Sequence, residues 1–208
     1  MAGSNITLTV SLALDTLSLQ APDPSALSTQ AGAPAYWARL WPAAVALAQH
    51  LQQHPQLVAG RTVLELGAGL AVPSLVAARY ARRVYCTDAE PAAVALAGDN
   101  GRRLHLQATL RCRVFNWNHL ATLSRVPQVL LLSDVNYEPT AFDQLLAGIQ
   151  HARHRGAEIW LSTPQRLSAV PFVEALLPAC SLHLQQAIQL PGEAGTTRVS
   201  LLQLPAKK

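Results

Sequence analysis

The chain has 208 residues, half of them apolar and only 13% charged, with a formal net charge of +4. That length suits one folded unit with a filled core, and that composition excludes a globally disordered chain. The basic residues are scattered rather than gathered into a long run, so they give nucleic-acid binding no specific support and are equally compatible with an acidic protein partner.

Three cysteines, Cys86, Cys112 and Cys180, are widely spaced and form no Cys-x-x-Cys pair. This argues against a disulfide framework or a zinc cluster and suits a reducing compartment. No apolar run approaches the length of about 18 residues that a membrane span requires. The opening MAGSNITLTV has neither the basic nor the apolar region of a secretory leader, so the expected location is cytoplasmic.

In chain order, residues 6–20 alternate apolar and polar side chains, the pattern of a strand or hairpin with one buried face. Residues 21–35 are rich in Pro, Ser and Gly and are expected to form a loop or arm. Residues 36–53 carry an amphipathic pattern and are expected to be helical, with Pro42 in the first turn, where its missing N–H costs nothing. From residue 60 strands and helices alternate. Strands are expected at 62–66, 83–88, 110–117, 128–134 and 157–163. Helices are expected at 73–82, 90–104, 139–153 and 166–177, the last interrupted by Pro171. QVLLLSD is an unbroken apolar run, typical of a strand covered on both faces. The end of the chain, 181–190 and 196–204 around the turn PGEAG, is expected to be a β-hairpin. This order implies an α/β sheet with helices on both faces and a terminal antiparallel pair. No repeat or linker divides it, so residues 1–58 are expected to be an N-terminal part of the same domain as the core at 59–208.

In such sheets ligands bind beyond the carboxyl ends of the strands. VLELGAGLAVPSL therefore bears on function. Gly67, Ala68 and Gly69 permit a tight turn and close approach of a ligand to the backbone. The third glycine of a dinucleotide fingerprint is replaced by Val72, and Pro73 has no N–H to offer a pyrophosphate. The small residue falls at Ala71 instead, and Glu65 before the loop would repel a pyrophosphate but attract a cationic ligand. A plain structural turn is the bland alternative. Asp88, 21 positions beyond Gly67, can accept hydrogen bonds from ribose hydroxyls, or can simply cap the helix starting near Pro91. After the third strand Trp117 can flank a purine or pack in the core. After the fourth, Asp134, Asn136, Tyr137 and Glu138 bunch together, either as solvated capping residues or as a reaction site.

Taken together, VLELGAGLAVPSL, Asp88, FNW and SDVNYEP resemble the class I (seven-β-strand) S-adenosylmethionine-dependent methyltransferases. The Asp134-Val135-Asn136-Tyr137 signature resembles the lysine methyltransferase group within them. YWARLWPAAVALAQHL is similar to the helix preceding the core in that group, especially in the enzyme acting on the β subunit of electron transfer flavoprotein and its bacterial relatives. The resemblance covers about residues 35 to 170. It implies a Rossmann-like, seven-stranded, mostly parallel sheet and S-adenosyl-L-methionine as cofactor, leaving as S-adenosyl-L-homocysteine. It implies that the backbone of Glu65, Gly67, Ala68 and Gly69 lines the methionine moiety, with Ser133 beside it. By the same resemblance Asp88 binds ribose, Asn116 and Trp117 border adenine, Trp41 closes the site, and Asp134 and Tyr137 face a protein substrate. Asn116 stands where the group commonly has an acidic residue.

The expected chemistry is methyl transfer to a protein lysine. Asp134 would hold the acceptor nitrogen, and Tyr137 would offer a ring face or hydroxyl to the cation. A small-molecule methyltransferase, a nicotinamide-dependent oxidoreductase and a non-catalytic cofactor-binding protein are the alternatives. Pro164 and Arg166, after the fifth core strand, are candidates for shaping the acceptor site. Trp37 and Trp41, four apart, would share a helix face if the helix starts early enough. His50 with His54, and His151 with His154, have helical spacing that can bind metal, but no acidic or cysteine cluster completes a site, so no metal is expected.

Overall fold

The computed structural model describes residues 5–23 and 36–207. Most of the predicted arm at 21–35 lies outside them. Strand β1 (Asn5–Ser11) and strand β2 (Thr16–Pro22) form the predicted antiparallel hairpin, with β2 running further than expected, through Pro22. Buried Val10, Leu17 and Leu19 join the core, so the alternation in sequence marks the buried face. Polar attachments fix the hairpin to the segments behind it. Gln20 exchanges two backbone hydrogen bonds with the Asn100 amide, Gln52 bonds Leu14 N–H and Asp15, and Arg79 pairs with Asp15 at 2.7 Å.

The main sheet holds β3 (Thr62–Leu66), β4 (Arg83–Asp88), β5 (Leu110–Val114), β6 (Val129–Ser133), β7 (Glu158–Pro164), β8 (Leu182–Ile188) and β9 (Thr197–Leu204). Its order is β5-β4-β3-β6-β7-β9-β8, parallel from β5 to β7 and antiparallel through β9 and β8. Strand order therefore reverses between β3 and β6, which opens a crevice above their carboxyl ends.

Helices α1 (Pro42–Gln53), α2 (Val72–Ala77) and α3 (Pro91–Arg103) cover one face; α4 (Phe142–His154) and α5 (Val170–Leu176) cover the other. Successive residues of β6 divide between them. Val129 and Leu131 pack with Leu47, Leu75 and Leu96, while Leu130 and Leu132 pack with Leu145, Ile149 and Phe172. All are fully or almost fully buried, and each such leucine contributes about 2 kcal/mol. This explains the unbroken apolar run in the sequence.

Several predicted boundaries move, each for a local reason. The first long helix begins at Pro42, which keeps the first-turn place expected of it, but the residues from Tyr36 are not part of that helix; Trp41 is its extended N-cap at φ −107°, and Tyr36–Ala38 form a separate 3-10 turn. Trp37 and Trp41 therefore share no helix face. Pro171 lies in the first turn of α5 rather than interrupting a longer helix. β5 ends at Val114, and Trp117 opens a 3-10 turn, Trp117–Thr122.

Candidate active site

The turn from β3 to α2 folds by alternating backbone handedness. Gly67, Gly69 and Ala71 all have positive φ, at 61°, 52° and 61°. At Gly67 a Cβ would lie 2.8 Å from Cζ3 of Trp117, and at Gly69 it would lie 3.1 Å from the carbonyl oxygen of Trp37. The two glycines therefore admit an indole on one side and a neighbouring backbone on the other. The turn is fastened at several points. Ala68 N–H donates to Thr87 O, Thr87 Oγ1 donates to Glu65 O at 2.6 Å, and Gly69 N–H donates to Asp88 Oδ2 at 2.8 Å.

The Glu65 side chain lies beneath the loop, fully buried, and does not reach the cleft; Glu65 is not among the residues that line it. Oε2 accepts from the Ser74 N–H at 2.9 Å and so ties β3 to the first turn of α2. Burial pushes its pKa up to about 8, the Asp88 charge adds to the rise, and hydrogen bonds from Ser74 oppose it. Near neutral pH this group is largely protonated and supplies little charge through the loop. The same contact uses the first N–H after Pro73, which leaves a poor phosphate cradle at this helix end.

The other predicted residues converge. Trp41, Gly67, Ala68, Gly69, Asp88, Asn116, Trp117, Ser133, Asp134 and Tyr137 all line one cleft of about 800 Å³ above the switch point. Asp88 serves both of its alternative readings in part. Oδ2 holds the loop at Gly69, while Oδ1 accepts from Glu90 N–H at 2.9 Å ahead of α3. Each oxygen keeps a further lone pair for a ligand hydroxyl. Asn116 caps its 3-10 turn by accepting from Asn118 N–H, and that turn carries Trp117 over Gly67.

Opposite the loop, Asp134 follows β6 at φ 55°, a left-handed conformation that Asp tolerates better than most residues. Its N–H donates to Ser162 O on β7, and its Oδ2 accepts from Arg166 Nη2 at 2.7 Å. Oδ1 is buried without a hydrogen-bond partner among the described residues. Burial raises the Asp134 pKa, and the charge and hydrogen bond of Arg166 oppose the rise. Tyr137 is pushed up as well, by burial first and then by nearby Glu138 and Asp88.

The sequence did not mark Tyr36. Its ring lies 6.2 Å from Trp41 and 5.9 Å from Tyr137, and Tyr137 lies 6.2 Å from Trp117. Four rings thus form an arc along the cleft, and the Trp41 Nε1–H donates to Tyr36 O. The only available signal was the aromatic pair Tyr36-Trp37 ahead of Trp41. The two histidine pairs lie elsewhere: His50 packs between His54 and Trp160, and burial holds its pKa down at about 4.

A family described as lysine methyltransferase matches residues 27–174. The human histone-arginine methyltransferase METTL23 is 34% identical over 144 residues, 66% of this chain and 75% of that protein. The match spans 65% of the rat METTL23 and 58% of the mouse one. The electron transfer flavoprotein beta subunit lysine methyltransferase of Danio rerio is 33% identical over 134 residues, 63% of this chain and 50% of that protein. Among solved structures, the Thermus thermophilus 16S rRNA N2 G1207 methyltransferase RsmC, in complex with AdoMet and guanosine, aligns with a TM-score of 0.66 at 16% identity. The alignment covers 98% of this chain and 51% of that one, a likeness of fold.

Proposed function

From the premise that the chain belongs to the lysine methyltransferase family, we propose that it binds S-adenosylmethionine in this cleft and methylates a nitrogen of a protein side chain. A lysine ε-amine is the first reading of the acceptor. The observation that carries the proposal is the buried Asp134 carboxylate, held in a left-handed turn on the same cleft as the glycine loop.

The residues suit the cofactor. Gly67 and Gly69 let Trp117 and the Trp37 backbone pack against a loop that lines the cleft, and Asp88 has lone pairs left for ribose hydroxyls. Trp117 offers an indole face beside Gly67, and Asn116 lines the cleft next to it. When bound, the cofactor supplies a sulfonium-activated methyl group. The chain's own task is to orient the acceptor and exclude water. Oδ1 of Asp134 is available to accept an N–H of the incoming nitrogen. Tyr137 and Tyr36 flank the approach with half-exposed rings. An amine attacks only when neutral; desolvation beside a positively charged cofactor would lower its ordinary pKa of about 10.4, while the tyrosine rings orient it.

A second reading takes an arginine guanidinium as acceptor, because the METTL23 relatives carry that activity in their name. The cleft gives less support to a small-molecule acceptor, since its rim exposes Tyr36 and Tyr137 rather than closing over them. A nicotinamide reading is disfavoured by the missing phosphate cradle at α2.

The test is incubation with methyl-labelled S-adenosylmethionine and a protein extract from the chain's own source, followed by amino-acid analysis of the labelled bands. Methyl-lysine is expected, and methyl-arginine would move the acceptor to the second reading. Label found only in small molecules would overturn the protein reading. Asp134→Asn keeps a residue that tolerates left-handed φ. It should leave cofactor affinity unchanged and slow transfer by about 10²- to 10⁴-fold. Wild-type turnover in that variant would remove Asp134 from the mechanism.

A further inference from the structure

Arg166 lines the cleft and makes no hydrogen bond to the glycine loop among the described contacts. Its backbone is set by its neighbours: Gln165 N–H donates to Arg198 O on β9, and Arg166 itself caps the 3-10 turn Leu167–Ala169. From this fixed base the guanidinium reaches two elements. Nη2 donates to Asp134 Oδ2 at 2.7 Å, and the guanidinium carbon lies 6.0 Å from the Trp41 ring centroid. The Asp134 side chain is 5% exposed and that of Arg166 32%.

The pairing divides the work of the carboxylate. A carboxylate with both oxygens free can rotate and present either one. Here one oxygen is committed, the backbone is held in an uncommon conformation by the bond to Ser162 O, and Oδ1 has no partner among the described residues. Such a buried acceptor is costly unless something satisfies it. Trp41 limits where the guanidinium can move, since a cation this close to an indole is attracted to it.

We propose that Arg166 is a positioning residue for methyl transfer: by holding Oδ2 of Asp134 it fixes the orientation of the carboxylate and leaves Oδ1 to receive the acceptor N–H. This rests on the functional reading above. It also bears on the acceptor. The ion pair is already neutral as a unit, so the site draws the acceptor through a directed hydrogen bond more than through net charge. The other ionisable groups on the cleft are Tyr36 and Arg39 ahead of α1, Asp88 after β4, and Tyr137 and Glu138 just beyond Asp134. None of them is hydrogen-bonded to Asp134 among the described contacts; burial raises its pKa, and Arg166 is the group that opposes the rise.

The test uses the full chain as wild type, Arg166→Gln and Arg166→Lys, with carboxyl-labelled aspartate read by NMR and Asp134 identified through Asp134→Asn. Removing an opposite charge in contact should raise the Asp134 midpoint by about 1–3 pH units. Arg166→Gln should therefore titrate higher, and Arg166→Lys should return most of the way. The acid limb of kcat/KM for methyl transfer should move up by the same amount, while S-adenosylmethionine affinity by calorimetry stays unchanged. An Asp134 midpoint unmoved in Arg166→Gln overturns the proposal, as does an equal loss of cofactor affinity, which would make Arg166 a cofactor ligand. Should the wild-type chain transfer no methyl group to any acceptor, the functional reading falls and the positioning role with it. Active wild type with an unshifted Asp134 removes the positioning role alone.

Discussion

The two ends of the cleft are built by different means. At the loop end the frame is backbone: three positive-φ residues, Gly67, Gly69 and Ala71, fastened by N–H bonds to Thr87 O and the Asp88 carboxylate. At the opposite end the working parts are side chains from three separate segments, with Asp134 and Tyr137 after β6, Arg166 after β7, and Tyr36 and Trp41 ahead of or capping α1. A backbone cradle suits a ligand that never changes, because main-chain shape tolerates little variation. Side chains on separate loops can be exchanged one at a time, which suits the end proposed to select an acceptor.

The sharpest way to break this contrast is Gly67→Val. A non-glycine residue at φ 61° pays about 1–2 kcal/mol in backbone strain. The new Cβ also meets Trp117 at 2.8 Å. Together these should weaken cofactor binding by about a hundredfold or more in calorimetry. Gly60→Val is the matched control, since Gly60 has φ 68° but nothing within 4 Å of its Cβ position. It should lose stability and keep affinity. If both variants bind alike, the contact with Trp117 does not matter and the loop is not the cradle.

Asp88→Asn should have a smaller effect. An amide can accept at one of the two positions now used by Gly69 and Glu90 N–H, but not at both. The loss of one such bond should weaken cofactor affinity about tenfold. The choice between lysine and arginine acceptors should not change. A change in acceptor preference would mean that the two ends are not separable.

This division also explains what was legible in the sequence. The sheet could be read because each strand carries its own periodicity, and QVLLLSD announces its double burial without reference to any partner. The loop end was legible because Gly67, Gly69 and Asp88 act through spacing along the chain. Asp134 and Tyr137 stood out because polar residues at the end of an apolar strand need a reason. Arg166 could be seen only as a residue after the fifth core strand. Its partner lies 32 positions earlier, and nothing local reports that distance. Tyr36 was hidden in the same way, in a segment that looked helical until Pro42 proved to be the first residue of the helix. Glu65 failed differently. Its position in sequence was correct, but alternation along β3 turned its carboxylate under the loop, where burial changed its charge.

Glu65→Gln tests that last point and should have the smallest effect. Below its ordinary pKa of 4.5 the group is protonated whether the chain is folded or not. Between 4.5 and about 8 the folded chain retains a proton that the unfolded chain releases. Rising pH therefore draws the equilibrium towards unfolding across that window, and the stability tied to the proton is gone above about 8. Glutamine can still accept from Ser74 N–H and has no proton to lose. The variant should match wild type near the acid end of the window in urea unfolding and gain on it steadily as the pH rises. Its affinity for S-adenosylmethionine should stay unchanged. A constant difference across the window would show that Glu65 is ionised in the folded chain. Weaker cofactor binding would mean that its charge does act through the loop, and the loop end would then depend on a side chain as much as the opposite end does.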